Sequence, residues 1–387
     1  MVSGYFDYNA TTPVSKAVEE RMAESVGVFS NASSSSSTAG LSKNILNSAR
    51  ESVARLLDCN GSQVAFTSGG SEANNWAIKS TLLNHFASPG HIITTSIEHP
   101  SVLDTLNYLS RFFGFEVTLL KPSMSGAISA DAVKCAIRPN TQLISVMYAN
   151  NETGAIQPVF DIAKIANDNN IKFHVDGVQA VGKLAVSMQK LDADFLSFSA
   201  HKFYGPKGIG GLYIRDPESV EPLIHGGGQE MGLRAGTENL IAIAGLAQAA
   251  EDFLAHGEEW NEHYKECKKY LVDSLMEHEV SFILNGNCSP EQNVPNTANL
   301  SITGVRGEAL AAFLDRKYGI VVSVGSACSN NKKKKLSHVL LSMGLSEERI
   351  QSALRISFGR YTTRRDVERF VESLAAATTK LRGIGQF

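Results

Sequence analysis

Short apolar runs set off by turn residues recur through the first part of the chain. Those at 64–67, 91–96, 116–120, 143–149, 172–176, 194–199 and 211–214 read as buried strands. Between several of them the apolar spacing changes to a helical period, at 72–83, 101–113 and 161–169. Strands alternating with helices predict an α/β architecture, a mostly parallel sheet with helices on both faces. In such sheets ligands collect at the carboxyl ends of the strands, so the polar residues after each run carry the most information.

After Ala249 the pattern changes. A long charged helix at 251–278 precedes strands at 282–284 and 299–302, a helix at 307–318, strands at 320–323 and 354–357, and a final helix at 365–381. This reads as a smaller α+β unit. The expected division puts residues 15–260 in a large unit and residues 1–14 with 261–387 in a small one. No internal repeat and no long linker interrupts this plan.

Composition narrows the class. With 387 residues, 43% apolar and 19% charged, the chain has ample material for a core, which excludes disorder as its main state. The 36 basic and 39 acidic side chains leave a net charge of −3, so no overall basic field draws in nucleic acid or an anionic membrane. The most apolar stretch, 240–250, contains Gly245 and Gln248. It is much shorter than the ~20 residues of a spanning helix, so no membrane protein is expected. The first residues reach Asp7 without a basic-then-apolar run, so no signal peptide is expected. Cysteines at 59, 135, 267, 288 and 328 show no regular spacing. That scatter fits a reducing cytoplasm and argues against a structural metal site.

Four segments suggest chemistry. Thr67-Ser68-Gly69-Gly70-Ser71-Glu72 follows a strand and opens a helix. Its glycines let backbone approach a ligand, and the Gly70 and Ser71 donors suit a phosphate; Ser71 as a plain N-cap is the competing reading. Asp176 ends an apolar strand, with Gln179 just beyond. A carboxylate there suits a buried cation or a protonated ring nitrogen, although taken alone an N-cap is the commoner role. Ser199, His201 and Lys202 crowd the end of another strand before a Gly/Pro turn. A lysine entering a site from a strand end is a candidate for attack on a carbonyl. Arg355 sits in a strand-like Leu-Arg-Ile-Ser-Phe pattern, where its planar fork suits a carboxylate; an ion pair with an acid of the large unit is the alternative. The glycine run at 226–228 reads as a turn.

Further segments join these in a fixed order: Tyr5-Phe6-Asp7-Tyr8-Asn9-Ala10-Thr11-Thr12-Pro13, Glu98-His99, Asn150-Asn151-Glu152-Thr153-Gly154, Arg234-Ala235-Gly236-Thr237 and Arg355-Ile356-Ser357-Phe358-Gly359-Arg360. Together they resemble the fold-type I pyridoxal-phosphate enzymes, and more narrowly the cysteine desulfurases of the class V aminotransferase group, over nearly the whole chain. The resemblance implies pyridoxal 5'-phosphate as cofactor and L-cysteine as substrate. It assigns Lys202 to the cofactor aldehyde and to proton movement at the substrate α-carbon. It assigns Asp176 to the pyridine nitrogen, Gln179 to the phenolate oxygen and His99 to the ring face. Asn151 would hold ring substituents and substrate. Gly70, Ser71, Ser199 and His201 would bind the phosphate. Thr237 would reach the phosphate of the partner subunit, which implies a homodimer. Arg355 would clamp the substrate carboxylate.

The same resemblance makes Cys328 the nucleophile that takes the sulfur as a persulfide, releases L-alanine and passes the sulfur to a protein acceptor, as in iron–sulfur cluster assembly. A polar, lysine-rich setting favours its thiolate. Two departures stand out. The family's early Gly-Asn-Pro-Ser-Ser-x-x-His-x-x-Gly is here Ser30-Asn31-Ala32-Ser33-Ser34-Ser35-Ser36-Ser37-Thr38-Ala39-Gly40, with Ser37 at the histidine position. After Cys328 the chain carries Lys332, Lys333, Lys334 and Lys335 where family members show a Ser-Leu-Glu-Pro-like stretch. These lysines suit an acidic acceptor or a nucleic-acid backbone, but a solvated loop is the favoured reading. The alternatives are a selenocysteine lyase or aminotransferase of the same group, which Cys328 speaks against, and a catalytically degraded sulfur-transfer scaffold, which only the altered serine run supports. The sequence leaves the final acceptor open among iron–sulfur, transfer RNA thiolation and DNA sulfur-modification pathways.

Overall fold

A computed structural model describes residues 3–83, 88–286, 289, 291–324, 326–327 and 335–384. The main sheet has seven strands: β1 (Val64–Thr67), β2 (His91–Thr95), β3 (Glu116–Leu120), β4 (Thr141–Met147), β5 (Lys172–Asp176), β6 (Phe195–Ser199) and β7 (Gly210–Ile214). Their order across the sheet is β1-β7-β6-β5-β4-β2-β3. Pairs from β6 through β3 are parallel, while β7 runs antiparallel to both β1 and β6. The β6–β7 connection holds only a 3-10 turn and a Gly/Pro segment, too short for the crossover a parallel neighbour needs.

Side chains alternate across these strands and bury both faces. On one face Val64, Phe66, Ile93, Ile144, Val146, Phe173, Val175, Leu196 and Phe198 share a core with the helices Gly40–Leu57, Val159–Asp168 and the first half of Leu240–Glu277. On the other, Ala65, Phe195, Leu212, Ile92 and Leu143 meet the helices Gly70–Leu83 and Pro100–Phe113. Away from the partly exposed edge strand β3, the strands are buried along most of their length and mostly apolar, with only a few polar side chains such as Ser145, His174 and Ser197, which is why they read as apolar runs.

The second sheet is antiparallel, in the order β10-β13-β9-β8, from β8 (Phe282–Leu284), β9 (Thr297–Ile302), β10 (Ser323–Val324) and β13 (Ala353–Ser357). A separate ribbon pairs β11 (Ser326–Ala327) with β12 (Lys335–Leu336). The core under the second sheet unites Phe6, Tyr264, Leu271, Leu310, Phe358 and Phe370.

Three expectations shift. The strand expected at 320–323 becomes β10 alone, because Val321 instead bridges Tyr5 of the N-terminal segment. The long helix starts at Leu240 rather than 251, N-capped by Asn239, whose side chain accepts from Ala242 N–H. Its first turns are buried all round, and that removes the polar stripe by which a helix is read. The helices Lys16–Ser25, Gly40–Leu57 and His338–Ser342 were not anticipated. Trp260 of the long helix packs against both large cores. We propose that the two units divide at this helix.

Candidate active site

Five strands that point the same way, β1, β2, β4, β5 and β6, deliver polar groups at their carboxyl ends. Gly70 and Ser71 follow β1, His99 follows β2, Asn151 follows β4, Asp176 closes β5, and Ser199, His201 and Lys202 close or follow β6. All of them, with Gln179 and Arg355, line one cavity of about 290 Å³. A second hollow, bounded by Ile283, Ser301, Arg306 and Arg349 on the small sheet, contains none of them.

Asp176 is buried, at 5% exposure. Its Oδ2 accepts from Asn74 Nδ2 at 2.8 Å and its Oδ1 from Val178 N–H at 3.0 Å. The second bond is a local turn cap, so Asp176 serves its own loop as well as the cavity. Burial raises its proton affinity; the Val178 N–H and the Asn74 amide oppose this, as do His99 and Lys202.

Lys202 enters from the 3-10 turn Ala200–Lys202 after β6. Its Nζ donates to the carbonyls of Asn9 at 2.7 Å and Ala10 at 2.8 Å. Burial first, then the charge of Arg355, bring its pKa down to about 8 against the pull of Asp176 and Asp7. His99 caps the helix Pro100–Phe113: its Nδ1 accepts from Ser101 N–H at 3.1 Å. That bond puts the proton of the neutral ring on Nε2. Burial, the leading cause, lowers the His99 pKa. His201 Nδ1 pairs with Thr11 Oγ1 at 3.1 Å, and burial with three nearby lysines holds it down to about 4.

Arg355 joins both sequence readings. Its Nη2 pairs with Asp7 Oδ1 at 2.6 Å and its Nη1 donates to Asn151 O at 3.0 Å, yet it lines the cavity, and its buried Nε has no partner among the described residues. The acid comes from the N-terminal segment rather than the large unit. Thr237 lies elsewhere, in a separate hollow with Arg234 and Glu238. Its loop is anchored by Arg234 on Glu72, at 2.9 Å, and by a buried pair between Glu230 and Arg50, also at 2.9 Å. Cys328 and the lysines 332–334 lie outside the described residues, as does any account of the Lys335 side chain. Among the described residues no group of three or more His, Cys, Asp or Glu could hold a metal. No described helix is long and apolar enough to cross a membrane.

The aminotransferase class-V family model matches residues 4–370. The chain belongs to the class-V aminotransferase family. It is 43% identical over 381 residues to the cysteine desulfurase IscS of Methanosarcina thermophila, covering 98% of this chain and 93% of that protein. A solved NifS-like protein superposes with a TM-score of 0.90 at 37% identity, covering 97% of this chain and 99% of that one. A structure described as SspA in complex with cysteine superposes with a TM-score of 0.81 at 39% identity, covering 93% and 100%.

Four residues of this class-V family member escaped the sequence reading of its site. Asn74 orients Asp176, and the signal for it is a polar residue among Ala73, Trp76, Ala77 and Ile78 on a buried helix face. Asp7 holds Arg355. Asn9 contacts Gln179, Lys183, Asn296 and Thr297, joining the two sheets' surroundings. Lys183 is a second buried lysine, betrayed only by its place in an otherwise apolar Ala-Val-Gly-Lys-Leu run.

Proposed function

We propose that this protein is a pyridoxal-phosphate-dependent cysteine desulfurase that works as a homodimer. The observation that carries the reading is the meeting in one cavity of a buried lysine of lowered pKa, a buried carboxylate and a cavity-lining arginine. The residues fit the cofactor. Gly70 opens a helix whose first N–H groups suit a phosphate, and a Cβ at Gly70 would come within 2.5 Å of Val178, so only glycine fits that approach. The buried Asp176 carboxylate is a group whose burial cost a cationic ring nitrogen relieves. When bound, pyridoxal phosphate supplies an electron sink that loosens bonds at the substrate α-carbon and then the carbon–sulfur bond.

The chain's own groups do the rest. Lys202, with a usable neutral fraction near its pKa of about 8, holds the aldehyde carbon and, once released, moves a proton at the substrate α-carbon. Asp176 would keep the ring nitrogen protonated by its charge, Gln179 would donate to the ring oxygen, and His99 would cover the ring face. Ser71, Ser199 and His201 add phosphate donors, joined by the partner subunit's Thr237 across the dimer. Arg355 receives the L-cysteine carboxylate, its fork held in plane by Asp7 and Asn151 O. Cys328 thiolate then takes the sulfur: the substrate Cβ–S bond breaks, an S–S bond forms, and Cβ gains the hydrogen that completes L-alanine. The carbon is reduced and the sulfur pair oxidised, so no outside oxidant is needed. The persulfide next passes to an acceptor, and a protein acceptor is favoured over nucleic acid.

Borohydride reduction of the holoprotein followed by peptide mass spectrometry tests this directly. The pyridoxyl mass is expected on Lys202, and one added sulfur on Cys328 after exposure to L-cysteine. Label on another lysine, or a Cys328→Ser variant that still releases sulfide at the wild-type rate, defeats the assignment.

A further inference from the structure

Lys183 is 3% exposed and takes no direct part in the chemistry above, yet it sits one residue away from the cavity wall. We propose that Lys183 is a positioning residue, which holds the Gln179 carboxamide with its oxygen inward and its NH₂ toward the cavity. The proposal rests on reading that cavity as a pyridoxal-phosphate site.

Two contacts define it. Lys183 Nζ donates to Gln179 Oε1, and at 2.9 Å to Asn9 Oδ1. Asn9 is oriented independently of the lysine. Its Nδ2 donates to Asn151 O at 3.2 Å and to Thr297 Oγ1 at 2.8 Å, and a backbone carbonyl can only accept. Its Oδ1 therefore faces Lys183, where it also accepts from Asn296 Nδ2 at 3.1 Å. Both groups against the amine are thus oxygens. The ammonium offers three hydrogens and the neutral amine two, so the pair of contacts holds in either protonation state. Burial, with Lys202 and Arg355 nearby, drives the pKa of Lys183 well down, and the geometry tolerates that.

The consequence falls on Gln179. With Oε1 committed inward, its Nε2 donates to Asn9 O at 3.1 Å, the same carbonyl that Lys202 meets at 2.7 Å. A carboxamide free to turn would offer the cavity an acceptor or a donor; this one offers hydrogens alone. The corner beside Lys202 accordingly receives an anionic oxygen and rejects a donor. Local structure supports the pairing. Gln179 and Lys183 lie four residues apart on a turn in which Lys183 N–H and Leu184 N–H both bond to Ala180 O, a spacing that brings side chains together. Gly182, at φ +76°, lets the chain pass Phe203, the neighbour of Lys202, where a Cβ would come within 2.2 Å.

Lys183→Met keeps the apolar stem and removes the donors. Removing the donors leaves the buried Gln179 and Asn9 oxygens short of a partner, so a lower melting temperature is expected whatever the role of the lysine, and the test is read on cofactor binding instead. The decisive measurement is a double-mutant cycle on the dissociation constant of pyridoxal phosphate, titrated into apoprotein. Lys183→Met is expected to weaken binding by about tenfold in the wild-type background and by less than about twofold in a Gln179→Ala background. An unchanged constant, or an equal loss in both backgrounds, overturns the positioning role. Should the methionine variant fail to fold, Lys183→Arg carries the test: it retains hydrogens only, so affinity within about threefold of wild type supports the role and a larger loss overturns it. Wild-type apoprotein that takes up no pyridoxal phosphate overturns the cofactor reading itself, separately from Lys183.

Discussion

Lys202 and Glu98 show how burial sets proton affinity at single residues. For Lys202 the reactive form is the neutral amine, and its pKa stands at about 8 instead of 10.5. The rate of pyridoxal-phosphate uptake by apoprotein is expected to climb about tenfold per pH unit below that point and to level off above it. Stopped-flow absorbance at fixed cofactor concentration checks this, and an inflection near 10.5 instead would mean the amine is not desolvated in solution. Glu98 is fully buried and pushed up to about 8, with Oε1 accepting from Thr95 Oγ1 at 2.6 Å and Met147 N–H at 3.0 Å and Oε2 without a partner among the described residues. The folded state holds this proton more tightly than the unfolded chain, so its contribution is complete below about 4.5 and is lost as pH rises toward about 8. Glu98→Gln keeps the acceptor and cannot ionise. Its melting temperature relative to wild type is expected to be higher at pH 8 than at pH 5, and a difference that does not change with pH would show Glu98 charged in the fold.

Elements carry the next constraint. The turn 177–184 is the meeting point of β5, Lys183 and Phe203, and Gly182 lets it pass close to Phe203 without a side chain in the way. Gly182→Ala meets both the positive φ and the Phe203 contact, and a loss of about 1–3 kcal/mol of stability is expected from denaturant unfolding. A loss below a few tenths would mean that the turn has slack the packing denies. The short helix His338–Ser342 is tied to the cavity rim in two ways. Ser337 caps it while donating to Glu152 Oε2 at 2.6 Å, and His338 Nε2 donates to Glu98 O at 3.0 Å. Cys328 lies ten positions before this helix in the sequence.

At the scale of the molecule, the N-terminal segment is the seam. Phe6 lies in the small core against Phe358 and Phe370, Asp7 pairs with Arg355, Asn9 reaches Lys183, and Thr12 Oγ1 donates to His201 O. These residues thereby join the core under the second sheet to the cavity. The proposed homodimer supplies the remaining prediction. Lys202→Ala and Thr237→Asp homodimers are each expected to be inactive, because one lacks the amine and the other sets a charge against the phosphate. Mixed and reassembled, they are expected to regain activity, since each heterodimer rebuilds one site from Lys202 of one subunit and Thr237 of the other. Activity that stays absent after verified subunit exchange would place Thr237 in its own chain's site.

Local pattern alone determined a good deal. Continuous apolar runs gave away the central strands because both faces of the sheet are covered, and the polar residues at their ends could be picked out because a buried strand must stop where polarity begins. The cluster at Lys202 was legible for that reason, whereas Asp176 and the glycines near Ser71 read as readily as helix N-caps until the family resemblance was weighed. Tertiary structure alone decided the antiparallel return of β7, the start of the long helix at Leu240 and the partners of the charged groups. Asp7 and Arg355 stand 348 positions apart, and Gln179 and Asn9 170 apart. Which carboxylate meets which guanidinium, and which way a carboxamide turns, depends on distances that only chain packing creates, and a sequence pattern records periodicity within one element, not proximity between elements.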